Sequence, residues 1–104
     1  MKESVTMSTY ILLTKLSSGM MSDAKTRETL GREWMKTVKE KCPNVKWLEH
    51  YALLGSYDFM DIYEAEDEEE AAKVSMITMM QGAVKAESMT AIPYKRYLEL
   101  IKEL

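Results

Sequence analysis

Apolar positions recur along this chain in two different rhythms. Residues 9–16, TYILLTKL, form a short run rich in strand-compatible side chains that stops at Ser17, Ser18 and Gly19, so a first strand is predicted there. Both of its faces are apolar, Tyr10 and Leu12 on one and Ile11 and Leu13 on the other, and such a strand has to be covered on both sides. Over residues 23–41 the rhythm changes. Leu30, Trp34 and Val38 recur every four residues with Met35 beside them, the stripe of an amphipathic helix. Lys25, Arg27, Glu28, Arg32, Glu33, Lys36 and Lys39 are assigned to its polar face. Pro43 lacks a backbone donor and clashes with the preceding turn, so the helix has to end near Cys42.

Residues 45–54 and 57–64 read as two strands around Gly55 and Ser56, the composition of a two-residue II′ hairpin turn whose first position needs a positive φ. Asp67 then opens a second helix with capping-box spacing to Glu70, and the acidic run 66–70 suits the positive end of that helix. Its apolar positions continue through Ala71, Val74, Ile77, Met79 and Met80 until Gln81 and Gly82. A fourth strand, 83–92, ends at Pro93. Tyr94, Tyr97, Leu98, Ile101 and Leu104 then repeat at helical spacing, which predicts a short amphipathic helix that has to dock on something. The order βαββαβ plus a C-terminal helix is the ferredoxin-like pattern: α+β, with an antiparallel sheet carrying two helices on one face. Residues 7–104 are expected to form this single domain, with residues 1–6 a disordered N-terminal extension.

Closing the hairpin at Gly55 and Ser56 pairs Leu54 with Tyr57, Ala52 with Phe59, His50 with Asp61 and Leu48 with Tyr63. Opposed residues of an antiparallel pair point to the same side, so one face collects Leu48, His50, Ala52, Leu54, Tyr57, Phe59, Asp61 and Tyr63. Trp47, Tyr51, Leu53, Met60 and Ile62 fall on the other. The second set carries more large apolar residues at its centre and is expected beneath the helices. The first would then line the open face, where so apolar a surface calls for a second copy of the chain and a dimeric α+β barrel.

Composition adds exclusions. The 104 residues carry fourteen Lys plus Arg against seventeen Asp plus Glu, net charge -3, so no pull toward nucleic acid is built in. A single cysteine, Cys42, permits no intrachain disulfide and fits a reducing cytoplasm. No apolar run is long enough for a membrane helix, and the first residues lack a signal-peptide core, so a cytoplasmic protein without membrane contact is expected. One histidine and one cysteine supply no convergent ligand set, so neither metal nor cofactor is expected. The ten methionines, clustered at Met20 and Met21 and at Met76, Met79 and Met80, read as adaptable core filler.

The segment Leu54, Gly55, Ser56, Tyr57, Asp58, within YALLGSYDFMDIYEAEDEEEAAK, resembles the signature of the GYD domain family, and the likeness runs from the first strand to the strand around Glu87. The same hairpin is similar to the effector-binding module of the leucine-responsive regulatory protein family. The resemblance implies a dimeric two-sheet barrel and no settled activity, and it does not imply transcription control.

His50, the only histidine, and Asp61 are the candidate acid/base dyad, the carboxylate orienting the imidazole. Tyr57, Phe59 and Tyr63 beside them make a candidate ligand surface, while Gly55, Ser56 and Asp58 read as structural turn residues, with the Asp58 carboxylate accepting backbone N–H groups. The function expected is a small-molecule-binding or interaction module assembled as a homodimer. One alternative is a cofactor-independent enzyme, oxygenase- or isomerase-like, with His50 as base. Another is a structural or partner-binding protein acting through its C-terminal helix.

Overall fold

The computed structural model describes residues 6–18 and 23–104. The expectation of a disordered extension at residues 1–6 falls, but for Thr6, outside the described residues, as does the reading of Met20 and Met21. The elements run β1 (Ser8–Leu16), α1 (Ala24–Lys41), β2 (Lys46–Ala52), β3 (Phe59–Ala65), α2 (Glu68–Met80), β4 (Ala83–Ala91) and α3 (Tyr94–Lys102). The strands make one antiparallel sheet in the order β2-β3-β1-β4, which is the ferredoxin-like arrangement. The molecule is flat, 50 × 36 × 18 Å.

Local chemistry sets the helix starts. Asp23 caps α1, its carboxylate accepting from the Thr26 N–H at 2.9 Å, and Asp67 caps α2 by accepting from the Glu70 N–H at 2.9 Å, each cap supplying about 1 kcal/mol. Glu70 reaches back as expected, but to the N–H of Glu66 rather than of the cap residue (3.0 Å). Cys42 ends α1 with its N–H on the Val38 carbonyl.

The hairpin departs from its expected form at both ends. Ala52 still opposes Phe59 and His50 opposes Asp61, but the chain leaves the sheet after Ala52 and rejoins it at Phe59, closed by the Leu53 N–H on the Asp58 carbonyl at 2.9 Å. The connection is therefore wider than a two-residue turn, although Gly55 does hold a positive φ of 143°. At the far end the register shifts between Trp47 and Glu49, so that Trp47, not Leu48, opposes Tyr63. A bulge of this kind inserts one extra residue and flips everything beyond it to the other face.

The face assignment is reversed. Tyr10 opposes Tyr63 and Leu12 opposes Asp61, and these four are buried with Val38 of α1 and Ala71 and Val74 of α2. The Asp61 and Tyr63 face lies beneath the helices, joined there by Trp47 across the bulge. Counting large apolar residues missed this because two polar groups are satisfied inside. Asp61 accepts two hydrogen bonds, and the Tyr63 hydroxyl shares one with Ser88 (2.7 Å) and donates to the Ala71 carbonyl (3.4 Å). A buried polar group so paired costs little. The open face instead carries Ile11 beside Ile62 and Met89, and Leu13 beside Met60, with Tyr51 opposite Met60. The methionines of α2 are also not core. Met76, Met79 and Met80 are exposed, because Ala71, Val74 and Thr78 already occupy the inner face of that helix.

Candidate functional site

Between the N-terminal half of α1 and the sheet lies a cleft of about 620 Å³, within the range of small-molecule sites. Its floor is built by Thr14, Leu16, Phe59 and Asp61 of the two central strands, its far wall by Trp47 and His50 of β2, and its roof by Arg27, Leu30, Gly31, Trp34 and Met35 of α1. Thr78 and Gln81, at the end of α2, close one side. The opening is held by bulk and by hydrogen bonds. The Trp34 and Trp47 rings meet edge to face at 5.3 Å. The Trp34 indole N–H donates to Thr78 Oγ1 at 2.9 Å, and the Gln81 side-chain amide donates to Thr37 Oγ1 at 2.9 Å.

The charged centre of the cleft is Asp61, only 1% exposed. It accepts from the Trp47 indole N–H at 3.2 Å and from His50 Nδ1. That second bond fixes the imidazole tautomer and leaves Nε2 as the nitrogen free to titrate. The hydrogen bond to Asp61 raises the His50 pKa above its ordinary 6.5, against the opposing effects of burial and of Arg27. His50 stacks on Phe59 at 5.4 Å, and the Arg27 guanidinium sits 5.5 Å over the same ring. Arg27 Nη1 is buried and has no hydrogen-bond partner among the described residues.

Of the residues singled out from the sequence, His50, Phe59 and Asp61 therefore come together, though under α1 and not on the open face. Tyr63 stands behind them. It is fully buried, stacked between Tyr10 (5.6 Å) and Trp47 (4.9 Å), and burial pushes its hydroxyl pKa up to about 12, so it packs the core and does not line the cleft. Tyr57 lies apart, its hydroxyl donating to Glu87 Oε1 with Lys85 near its ring. Asp58 ties the hairpin to β1, accepting from the Leu16 N–H at 2.7 Å while its own N–H meets the Thr14 carbonyl at 2.8 Å. Gly55 and Ser56 are exposed at the tip.

Arg27 and Trp47 were missed as site residues. Arg27 had a legible signal, since 27, 30, 31, 34, 35 and 38 share one helix face, which makes it the charged head of the apolar stripe and not part of the polar face. Trp47 was expected beneath the helices and lies there, but only because the bulge returns it to the covered side while the rest of its expected face is reversed, and that bulge leaves no mark on the alternation.

Among the described residues no group of three or more His, Cys, Asp or Glu is placed to hold a metal ion, and no helix is long and apolar enough to cross a membrane. Compared with known proteins, residues 10–101 match the family model of the GYD domain. The chain is 29% identical over 99 residues to the glutamine synthetase and cystathionine beta-lyase binding protein of Thermus thermophilus, a match that covers 92% of this chain and 100% of that one. No solved structure matches.

Proposed function

The chain belongs to the GYD domain family, and we propose that it is an interaction module: two copies paired through the open sheet face, presenting α3 to a larger protein partner. The observation that carries the reading is α3. Tyr94, Tyr97, Leu98 and Ile101 form its apolar stripe, and no residue of the helix is buried within the chain. Leaving such a stripe in water forfeits the burial that stabilises short amphipathic helices, so a second polypeptide is its natural cover. The similar Thermus protein, named for binding two enzymes, supports a partner of that kind, and glutamine synthetase from the same organism is the first to test. The double variant Leu98→Glu, Ile101→Glu should abolish co-elution of the full chain with glutamine synthetase while its circular dichroism stays native. Equal co-elution of variant and parent, or none by the parent with either glutamine synthetase or cystathionine beta-lyase, would end this reading.

Pairing rests on the helix-free face, where Ile11, Leu13, Met60 and Ile62 are only half-buried and Tyr51 and Met89 are exposed. Apolar patches of this continuity mark contact surfaces on soluble proteins. Ile62→Asp should convert a dimer to a folded monomer in sedimentation equilibrium. A parent chain that is itself monomeric at micromolar concentration would rule the pairing out.

A second reading, small-molecule binding, is favoured by the cleft beneath α1 and its His50–Asp61 pair. If His50 Nε2 acts there as a base, the chain is a cofactor-independent enzyme instead of a receptor. His50→Ala separates the two, since it would remove turnover and leave ligand affinity in the first case and find no turnover to remove in the second. The reducing cytoplasm belongs to the same proposal, since it suits the lone buried thiol of Cys42.

A further inference from the structure

The ionisable groups around the cleft pair off, with one left over. Arg32 is matched by Glu28 at 2.7 Å, and His50 by Asp61. Arg27 lies against the same cavity and makes no ion pair among the described residues. Its Nη1 is buried and has no hydrogen-bond partner among the described residues. A guanidinium N–H taken out of water without an acceptor costs free energy that a bound acceptor would return. Most of the remaining wall is apolar or aromatic, Leu30, Trp34 and Met35 above and Leu16 and Phe59 below, with Thr14, Thr78 and Gln81 as its uncharged polar positions.

We propose that the cleft binds a small organic carboxylic acid, its carboxylate on the Arg27 guanidinium and its apolar body against Leu30, Trp34 and Phe59. This inference rests on the small-molecule reading of the cleft and adds the ligand class. A guanidinium fork matches a carboxylate in shape and charge. A carboxylate is preferred over a phosphate monoester because one cation is unmatched, and the second negative charge of a phosphate would stand uncompensated beside Asp61.

The protein carries its own reporter, since its two tryptophans, Trp34 and Trp47, both line the cleft. Their fluorescence would be titrated on the full chain with acid and neutral amide pairs of increasing length (benzoate, phenylacetate, 4-phenylbutyrate, hexanoate) and with phenyl phosphate. The best acid should bind roughly tenfold or more tightly than its amide, the range of a charge-assisted hydrogen bond. Arg27→Gln should erase that difference by bringing the acid down to the affinity of its amide, while Arg27→Lys, which keeps the charge and loses the fork, should retain part of it. Acid and amide binding equally tightly would overturn the carboxylate assignment while leaving small-molecule binding intact. Phenyl phosphate binding more tightly than every acid would overturn it too. If no member of any pair alters the tryptophan signal, the small-molecule reading falls together with the inference.

Discussion

Two helices lie on the same face of the same sheet, and they treat it differently. α2 presents Ala71, Val74 and Thr78, all buried, and these small side chains let its backbone approach until the Tyr63 hydroxyl reaches the Ala71 carbonyl. α1 buries only Val38, near its C-terminal end. Toward its N-terminus Trp34 stands edge-on to Trp47, and ahead of them the space under Leu30 and Arg27 stays open. One helix seals the core and the other roofs a cleft. Tight packing and open volume are thus separated along one layer of the fold, by side-chain size and not by hydrophobicity.

Substitutions under the two helices should differ in proportion. Tyr63→Ala removes a fully buried ring and should cost about 3–5 kcal/mol, as for other buried aromatics, read as a fall in the urea midpoint. Leu30→Ala, facing the cleft, should cost less than about 1 kcal/mol because little packing is lost there. Equal losses would erase the distinction between the helices. Ala71→Leu should follow at about 1–3 kcal/mol destabilising, since added volume has no room under α2.

The sign should invert under α1. A Cβ at Gly31 would meet nothing nearer than Arg27 Nη2 at 4.0 Å, and alanine is the better helix former, so Gly31→Ala should stabilise by about 0.5–1 kcal/mol. Destabilisation there would mean that the roof is tight after all.

The smallest effect is the pH dependence of the His50–Asp61 pair. The folded pKa of His50 is raised above 6.5, so its stabilising contribution is complete below that pH and is lost as pH rises through the folded value. The imidazole side chain is 53% exposed, so solvent screens the pair and the slope should be shallow. Between roughly pH 6 and pH 9, spanning the ordinary histidine range, the parent should lose stability relative to His50→Gln. Parallel profiles would show that the pair contributes nothing to folding.

Much of the fold was legible in local sequence, and the site only in part. Asp67, Pro43 and Pro93 mark element ends through capping and ring chemistry that act within a few residues, and the Asp23 cap, which only the structure brought out, acts over the same range. The pairing of His50 with Asp61 followed from counting outward from Gly55, and it survives although the loop is wider than the two-residue turn, because the added loop residues are symmetric about the same centre. That the dyad lies inside was not legible, since a buried carboxylate is acceptable only once Trp47 and His50 both reach it.

The amino-acid order by itself settled the element types, the order βαββαβα, the amphipathic C-terminal helix and the presence of two apolar sheet faces, because periodicity and caps are short-range properties of the chain. Which face the helices cover, the bulge that brings Trp47 in place of Leu48, and the cleft at Arg27 were decided in three dimensions. Each depends on partners brought together from across the chain: Leu12 with Asp61, Tyr63 with Ser88, and Trp34 with Thr78. Burial free energy is a property of the finished packing, so a strand with two apolar faces cannot declare which one the helices will take.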